Sequence, residues 1–247
     1  MDTMPAWTDT ALCLQAPTAE GVLPVLIAGP ENARGTVLLL HGRNGAPAQP
    51  QIAEIALAYL ARGWRVAAPA LPNSSASPGS GPASEVSFAR HVRAAAGVRD
   101  WLAAQTPGQV LALAGHSIGG YAVAHLAADR ADIHHVLAVS PPMSGMVLMR
   151  AREAMGPAAI EEVRREAPAY FTEMQTADAE PALRRVTAPL AVVTGACDGL
   201  VPLADARAYF AAAPNGRFFA ALPDQHHCPA GPACASMLAA ALAALGA

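Results

Sequence analysis

The residues best suited to chemistry in this chain lie at 115–119, a G-x-S-x-G pentapeptide with the sequence GHSIG. The apolar run QVLALA before it is typical of a buried strand, and residues 121–128 after it are good helix formers. Between a strand and a helix, this motif holds a serine hydroxyl on a sharp turn, where flanking glycines relieve crowding. An ordinary glycine-rich turn is the alternative. The context favours Ser117 as a nucleophile.

A second glycine-containing loop, HGRNG at residues 41–45, follows the strand-like run TVLLL. Such a loop lets a backbone N–H turn toward a substrate carbonyl. We expect the N–H groups of Arg43 and Ile118, the residue after the serine, to bind the developing oxyanion. A plain strand-to-helix turn, which also needs glycine, is the alternative. The Arg43 guanidinium is a separate group and could pair with a carboxylate on the substrate.

Asp198 is the strongest candidate for an acid that orients a histidine. It follows the buried-strand pattern PLAVVTG, and Pro202 can open the helix after it. Asp205 lies inside that next helix and Asp178 in a polar helical segment, so we interpret both as surface charges; Asp224 is a further competitor. An Asx-type turn beside Gly199 is the structural alternative for Asp198.

The histidine of such a site is expected in the loop after the strand-like run RFFAAL, where His226 and His227 are adjacent. Only one of them can face Ser117. A zinc site of these two with Cys228 and Cys234 is an alternative, but its spacing matches no common zinc pattern, so we expect no metal. We interpret the remaining histidines as loop or surface residues: His41, His116, His125, His134 and His135.

Together these motifs, in this order, resemble the α/β-hydrolase superfamily, in particular its small esterase-like members related to carboxylesterases, dienelactone hydrolases and serine aminopeptidase-like hydrolases. The resemblance runs from about residue 36 to the C-terminus and implies a three-layer α/β fold with a mostly parallel sheet and no cofactor. In relatives the histidine usually comes four residues after a proline, which from Pro223 gives His227. The chain departs from the family pattern at two places. Ala70 stands where the family usually has an acidic residue of structural role, and the histidine is doubled as His226 and His227.

The resemblance implies acyl transfer through an acyl-enzyme, in which His227 accepts the proton of Ser117 and Asp198 orients the imidazole. Relatives with aspartate at the nucleophile position open epoxides or displace halide, and dienelactone hydrolases carry cysteine there. Serine therefore favours esters, thioesters or amides. We predict a serine hydrolase of small or medium acyl esters. Amidase, thioesterase or acyltransferase activity, or a binding protein without turnover, are the alternatives.

The length, composition and charge of the chain argue against several other classes of protein. The 247 residues, 53% hydrophobic and 14% charged, suit a single domain at 1–247 with a large core. A net charge of −3 argues against nucleic acid as a partner. We see no signal peptide, no apolar run of the ~18 residues that a membrane span needs, and no disulfide framework, so we expect a cytoplasmic protein. We interpret Cys197 and Cys228 as small buried hydrophobes. The oligomeric state and the pathway stay open.

Alternating strands and helices would position the candidate residues. We predict an edge strand or hairpin at 18–28, a polar loop at 72–84 that is flexible and borders the site, and a small helical lid at 141–188. Met143, Met146, Leu148 and Met149 either line an acyl pocket or pack the lid onto the core. The predicted strands are 36–40, 64–69, 109–114, 134–139, 189–194 and 217–221. The predicted helices are 50–62, 84–104, 117–129, 203–213 and 233–245.

Overall fold

One central sheet organises the chain. The computed structural model describes residues 6–247, and its eight strands join in the order β1-β2-β4-β3-β5-β6-β7-β8. Neighbouring strands from β4 to β8 run parallel, whereas β2 is antiparallel to both β1 and β4. The predicted mostly parallel sheet is confirmed. The strands are β1 (Leu12–Thr18), β2 (Gly21–Ala28), β3 (Thr36–Leu40), β4 (Arg65–Pro69), β5 (Leu111–His116), β6 (Ile133–Val139), β7 (Leu190–Gly195) and β8 (Gly216–Leu222).

Helices cover both faces of the sheet. Nine α-helices occur within residues 6–247, together with short 3-10 turns at Trp7–Thr10 and Ala83–Glu85. None of these helices is both long and apolar enough to cross a membrane. The α-helices are α1 (Pro50–Leu60), α2 (Phe88–Gln105), α3 (Ile118–Ala128), α4 (Gly145–Met155), α5 (Pro157–Glu166), α6 (Pro168–Glu173), α7 (Glu180–Leu183), α8 (Leu203–Ala212) and α9 (Pro232–Ala244).

The core has two halves, one on each face of the sheet. Along β3, Val37 and Leu39 face the half that α1 and α9 cover, and Leu38 and Leu40 face the half under α2, α3 and α8. Every residue of β3 is buried. A strand buried on both faces needs a continuous apolar run, which is why TVLLL shows no polar alternation. The three layers predicted from the sequence are therefore present.

The N-terminal hairpin differs from its prediction in extent. It begins at Leu12, six residues before the predicted segment, and turns between Thr18 and Gly21. β1 lies at the edge of the sheet, and only its Ala16 is fully covered. An edge strand exposes much of its length, so its residues give only a weak burial pattern from which to predict its start.

The predicted lid segment contains four helices, and the first three of them, α4 to α6, form an excursion whose two ends meet. Ser144 and Asp178 form an isolated antiparallel bridge, and the N–H of Gly145 donates to the carbonyl of Ala177 at 2.9 Å. The prediction that Asp178 lies in a helical segment is therefore wrong. Its carboxylate instead accepts from the N–H of Glu180 at 2.9 Å, at the start of α7. The bridge pairs the start of the excursion with its end, which anchors α4 to α6 at their base.

Candidate active site

The loops that follow β3, β5, β7 and β8 carry the predicted site residues. Because these strands are parallel members of one sheet, their carboxyl ends lie at the same edge, where α/β proteins generally bind ligands. β5 is central, with β3 on one side and β6, β7 and β8 on the other. This order places Ser117 between the loop of Arg43 and the loops of Asp198 and His227.

Ser117 lies on the turn between β5 and α3 with a strained backbone. Its φ of 55° and ψ of −126° are values that residues with a side chain rarely adopt. The N–H of Ser117 donates to the carbonyl of Val139 at the end of β6, at 2.9 Å. The turn therefore projects the serine side chain from the sheet edge, as the pentapeptide predicts.

The two glycines of the pentapeptide are required by close packing. A Cβ on Gly115 would lie 2.3 Å from the carbonyl carbon of Gly119, and a Cβ on Gly119 would lie 2.4 Å from the carbonyl oxygen of Leu40. Both contacts are with backbone atoms, which cannot move away as a flexible side chain would. Strand, turn and helix can meet this closely only because both positions lack a side chain.

A chain of hydrogen bonds joins the three predicted triad residues. The Oγ of Ser117 lies 2.9 Å from Nε2 of His227, and Nδ1 of His227 lies 2.8 Å from Oδ2 of Asp198. A carboxylate can only accept, so Nδ1 carries the proton of the neutral ring and Nε2 is free to accept from the serine hydroxyl. Ser117 and Asp198 are buried, and His227 is partly exposed.

The Asp198 carboxylate is held in its ionised form. Burial opposes ionisation, but the hydrogen bond and charge of His227, with the N–H groups of Val201 and Leu200, together keep the pKa of Asp198 below its usual value. Those two N–H groups donate to Oδ1 at 2.9 and 2.8 Å. One oxygen is thus fixed by the backbone and the other orients the imidazole. The Asx-type turn considered from the sequence is present as well, and it serves to position the carboxylate.

Between the adjacent histidines, the structure places His227 and not His226 against Ser117. His226 is exposed, and its Nδ1 donates to the carbonyl of Cys197 at 2.9 Å. A Cβ on Gly195, the last residue of β7, would lie 2.2 Å from the carbonyl oxygen of His226. The histidine loop therefore crosses the end of β7 in contact with its backbone, and this crossing carries His227 toward the serine.

The loop at residues 41–45 passes directly beside the nucleophile. A Cβ on Gly42 would lie 2.8 Å from Cβ and 3.3 Å from Oγ of Ser117. Ile118 is the first residue of α3, so its N–H has no acceptor within the helix. Arg43 and Ser117 line the same cavity. The two predicted oxyanion donors thus flank the serine from the loop and from the helix.

The imidazole of His41 and the N–H of Gly45, which lies 3.1 Å from the same Gly42 carbonyl, hold the peptide that carries the Arg43 N–H. The N–H of Leu71 donates to Nε2 of His41 at 2.9 Å, so the ring proton is on Nδ1, which donates to the carbonyl of Gly42 at 2.8 Å. No peptide bond in residues 6–247 is cis. In a planar trans peptide the C=O and N–H groups point in opposite directions, so the N–H of Arg43 points away from His41.

Two further buried histidines hold backbone carbonyls around the site. Nε2 of His91 donates to the carbonyl of His41 at 2.9 Å, and Nε2 of His116 donates to the carbonyl of His227 at 2.8 Å. Burial lowers the pKa of His41 to about 4 and those of His91 and His116 to about 3, so all three are neutral donors near pH 7. The prediction that His116 is a loop or surface residue is wrong, because it is the buried last residue of β5; His41 lies in a loop as predicted but is buried, and each ring replaces water for a buried carbonyl.

The lid closes over a cavity of about 230 Å³ that contains Ser117 and His227. Leu148, predicted as an acyl-pocket residue, lines it, whereas Met146 and Met149 border a separate surface depression and Met143 packs on the core. The sequence did not indicate the other side chains that the lid contributes to the cavity, because helical periodicity does not say which face of a short helix meets the sheet edge. Besides Leu148 they are Arg152, Val163, Tyr170 and Met174.

The polar loop at 72–84 supports the site from behind and does not line this cavity. Asn73, Ser74 and Ser77 are buried, and the hydroxyls of both serines donate to the carbonyl of Gly45. Serine and asparagine side chains can replace solvent for a buried backbone, so a polar composition alone did not indicate that this loop packs inside.

The cysteines near the site differ in their exposure, and they do not gather into a zinc site within the described residues. Cys197 and Cys228 are exposed, so the expectation that they are buried hydrophobes is wrong; Cys228 borders the cavity. Cys234 is buried, and its thiol donates to the carbonyl of Pro229 at 3.5 Å. Within residues 6–247, no three His, Cys, Asp or Glu side chains gather in a way that could hold a metal ion.

Comparison with known proteins identifies the fold. The sequence model of the family described as "alpha/beta hydrolase fold" matches residues 35–188. No curated protein matches the chain. The matched residues include the loop of Arg43, the pentapeptide of Ser117 and the whole lid segment, but end before Asp198 and His227.

Solved structures are similar along almost the whole chain. Est1E from Butyrivibrio proteoclasticus has a TM-score of 0.74 at 17% identity, and the alignment covers 95% of this chain and 99% of that one. An alpha-beta serine hydrolase homologue from Coxiella burnetii has a TM-score of 0.66 at 19% identity, covering 96% and 99%. Dienelactone hydrolase from Anabaena variabilis has a TM-score of 0.67 at 18% identity, covering 95% and 94%. At these identities the likeness concerns the fold.

Proposed function

Because this chain belongs to the alpha/beta hydrolase fold family, we propose that it is a serine hydrolase that cleaves carboxylic esters of small or medium acyl chains. The observation that carries the proposal is the hydrogen-bonded chain from Asp198 through His227 to Ser117, with distances of 2.8 and 2.9 Å. Nucleophile, base and orienting acid within hydrogen-bond reach are the requirement for acyl transfer by this route.

In the proposed reaction, Oγ of Ser117 attacks the ester carbonyl carbon while Nε2 of His227 takes the hydroxyl proton. Asp198 stabilises the imidazolium, and the N–H groups of Arg43 and Ile118 donate to the oxyanion. The imidazolium returns the proton to the leaving alcohol, which leaves an acyl-enzyme. A water molecule then adds to the acyl carbon through the same base, and release of the acid regenerates the hydroxyl of Ser117.

The cavity supports a small or medium acyl group. Its volume of about 230 Å³ is below the ~300–1,000 Å³ of sites that hold drug-sized ligands. Dienelactone hydrolase, one of the structural neighbours, is named for a lactone, which is a cyclic ester. An ester is therefore the substrate class that we favour over an amide or thioester on the same three residues.

Replacing Ser117 tests the proposal directly. We expect Ser117→Ala to lower kcat for short ethyl and p-nitrophenyl esters by on the order of a thousandfold or more, because removal of a triad member has this effect in other hydrolases. Labelling by a fluorophosphonate probe should also be lost. Ser236→Ala is the control, because Ser236 lies exposed on α9. Retained labelling or turnover in Ser117→Ala with an unchanged circular dichroism spectrum would contradict the assignment.

A further inference from the structure

The charge lining the cavity is uneven. Two of the side chains that line the cavity are the histidines His116 and His227. Among the other lining residues of the described range 6–247 there are two basic side chains, Arg43 and Arg152, and no carboxylate. The thiol of Cys228 also borders the cavity. Arg43 comes from the loop after β3 and Arg152 from α4 of the lid. Two arginines from separate segments thus line one small cavity, in a chain whose net charge is −3.

Arg43 is only weakly neutralised by the protein. Its guanidinium lies 5.4 Å from the ring centroid of Tyr170, and its Nη1 lies 3.9 Å from Oε2 of Glu166. The Arg43 side chain is 15% exposed, whereas that of Glu166 is 42% exposed. An ion pair at this distance with a well-solvated partner contributes little, so most of the Arg43 charge is available to a ligand.

Arg152 has no carboxylate of residues 6–247 within 4 Å, unlike its neighbour Arg150. Arg150 lies two residues earlier on α4 and pairs with Asp205 at 3.4 Å, away from the cavity. Arg43 and Arg152 both act on the Tyr170 phenol: burial raises the pKa of Tyr170, and the charges of the two arginines oppose that rise. Arg43, Arg152 and the Tyr170 phenol all line the one cavity.

We propose that Arg43 and Arg152 bind a carboxylate of the substrate, so that the ester cleaved is one that also bears a free acid group. That the substrate is an ester rests on the proposed function, whereas its free carboxylate is inferred from the residues that line the cavity. Guanidinium groups bind carboxylates through charge-assisted, often bidentate hydrogen bonds, and a partly enclosed cavity strengthens them. The Arg43 N–H belongs to the oxyanion site while its side chain reaches the lid, which sets the carboxylate apart from the reacting carbonyl.

A matched pair of substrates isolates the charge. Monoethyl glutarate and the ethyl ester of glutaramic acid have nearly the same shape, but the second carries a neutral carboxamide in place of the carboxylate. We expect the wild-type kcat/KM to favour the carboxylate by on the order of tenfold or more, the scale of one charge-assisted hydrogen bond. In Arg152→Gln we expect this ratio to fall toward one, chiefly through KM. A wild-type ratio near one, or an unchanged ratio in Arg152→Gln, would overturn the inference.

Arg150→Gln is the matched control, because it removes the same charge from the same helix outside the cavity. Its ratio should equal that of the wild type. An equal fall in both variants would show that net charge and not a local site sets the preference, and would overturn the inference.

A binding measurement on Ser117→Ala separates this inference from the proposed function. By calorimetry, glutarate should bind this variant at least about tenfold more tightly than glutaramide, and addition of Arg152→Gln should remove the difference. If no ester is hydrolysed and no probe reacts, the proposed function fails. The binding measurement then decides by itself whether the carboxylate site exists. Equal binding of glutarate and glutaramide, or of glutarate and inorganic phosphate, would overturn it.

Discussion

At Ser117 the backbone conformation and the chemistry cannot be separated. A φ of 55° at a residue with a side chain costs on the order of 1–3 kcal/mol. That strain is maintained by the hydrogen bond to Val139 and by backbone contacts that Gly115 and Gly119 allow. The conformation puts the hydroxyl at hydrogen-bond distance from His227, so strain at one residue fixes the geometry of the proposed triad.

The neighbouring histidines should differ sharply in their effect on turnover. We expect His227→Ala to lower kcat on the order of a thousandfold or more, because it removes the group placed between Ser117 and Asp198. His226→Ala should lower it by at most about tenfold, the scale of a positioning contact of about 1.4 kcal/mol, since His226 is exposed and bonds only the carbonyl of Cys197. The measurement is kcat for one ester with all three proteins.

The reverse order of the two effects would move the base to His226. An equal loss in both variants would instead indicate that the loop itself had shifted, which the labelling rate of Ser117 with a fluorophosphonate would reveal in each variant.

At the level of elements, regular strands were predictable from the sequence. The predicted strand 36–40 lies at Thr36–Leu40, because a five-residue apolar run is too short for a helix and suits a strand covered on both faces. Helix starts were less predictable. The helix predicted from 84 begins at Phe88, since the hydroxyl of Ser87 accepts from the N–H of Arg90 and caps the helix there, after a separate 3-10 turn that ends at Glu85.

Loops and buried polar groups account for most of what the sequence did not show. Ser117, Asp198 and His227 could be predicted because each follows a strand in a fixed order along the chain. The roles of His41 and Arg152 could not, because they depend on which carbonyl a ring meets across the fold and which face of a lid helix meets the cavity. Such contacts join residues far apart in sequence and leave no local pattern.

The loop after β3 yields a prediction of its own. We expect His41→Phe to lower kcat about 10- to 100-fold with a smaller change in KM, because the carbonyl of Gly42 then keeps only the N–H of Gly45 as a donor and the Arg43 N–H is held less firmly. Stability should fall by about 1–3 kcal/mol, since the N–H of Leu71 is left buried without an acceptor. Steady-state kinetics and urea unfolding measure the two effects.

His135→Phe is the control that separates these effects. His135 is also buried, and its Nε2 lies 2.9 Å from the hydroxyl of Tyr59, but it lies near the start of β6 and not at the strand ends of the site. This variant should lose stability and keep kcat. If His41→Phe keeps kcat as well, the imidazole serves the fold alone.

For the molecule as a whole, buried neutral histidines are an unusual part of the core. His41, His91, His116 and His135 are all at most 3% exposed, and they bond backbone carbonyls or, in the case of His135, the buried Tyr59 hydroxyl. Burial lowers the pKa of His41 to about 4 and of the other three to about 3. The core can therefore remain intact only while these rings stay neutral, which ties global stability to pH.

We expect the free energy of unfolding to fall steeply as the pH drops from about 6.5 toward 4. In the unfolded chain each of these rings gains a proton near its ordinary pKa of about 6.5, whereas in the folded chain it stays neutral to about pH 3 to 4. Between these values the unfolded state binds more protons, so stability is lost with falling pH by up to about 1.4 kcal/mol per pH unit for each ring. Above about pH 6.5 these rings contribute no slope.

Urea unfolding at a series of pH values measures this dependence. Four such rings together approach about 5 kcal/mol per pH unit, enough to unfold a protein of ordinary stability near pH 5. His135→Gln should lower the slope by about one proton even if it also lowers stability at pH 8, because the slope counts protons bound and not the starting value. A wild-type slope near zero between pH 6 and 5 would mean that the buried rings take up protons without unfolding, by opening to solvent one at a time.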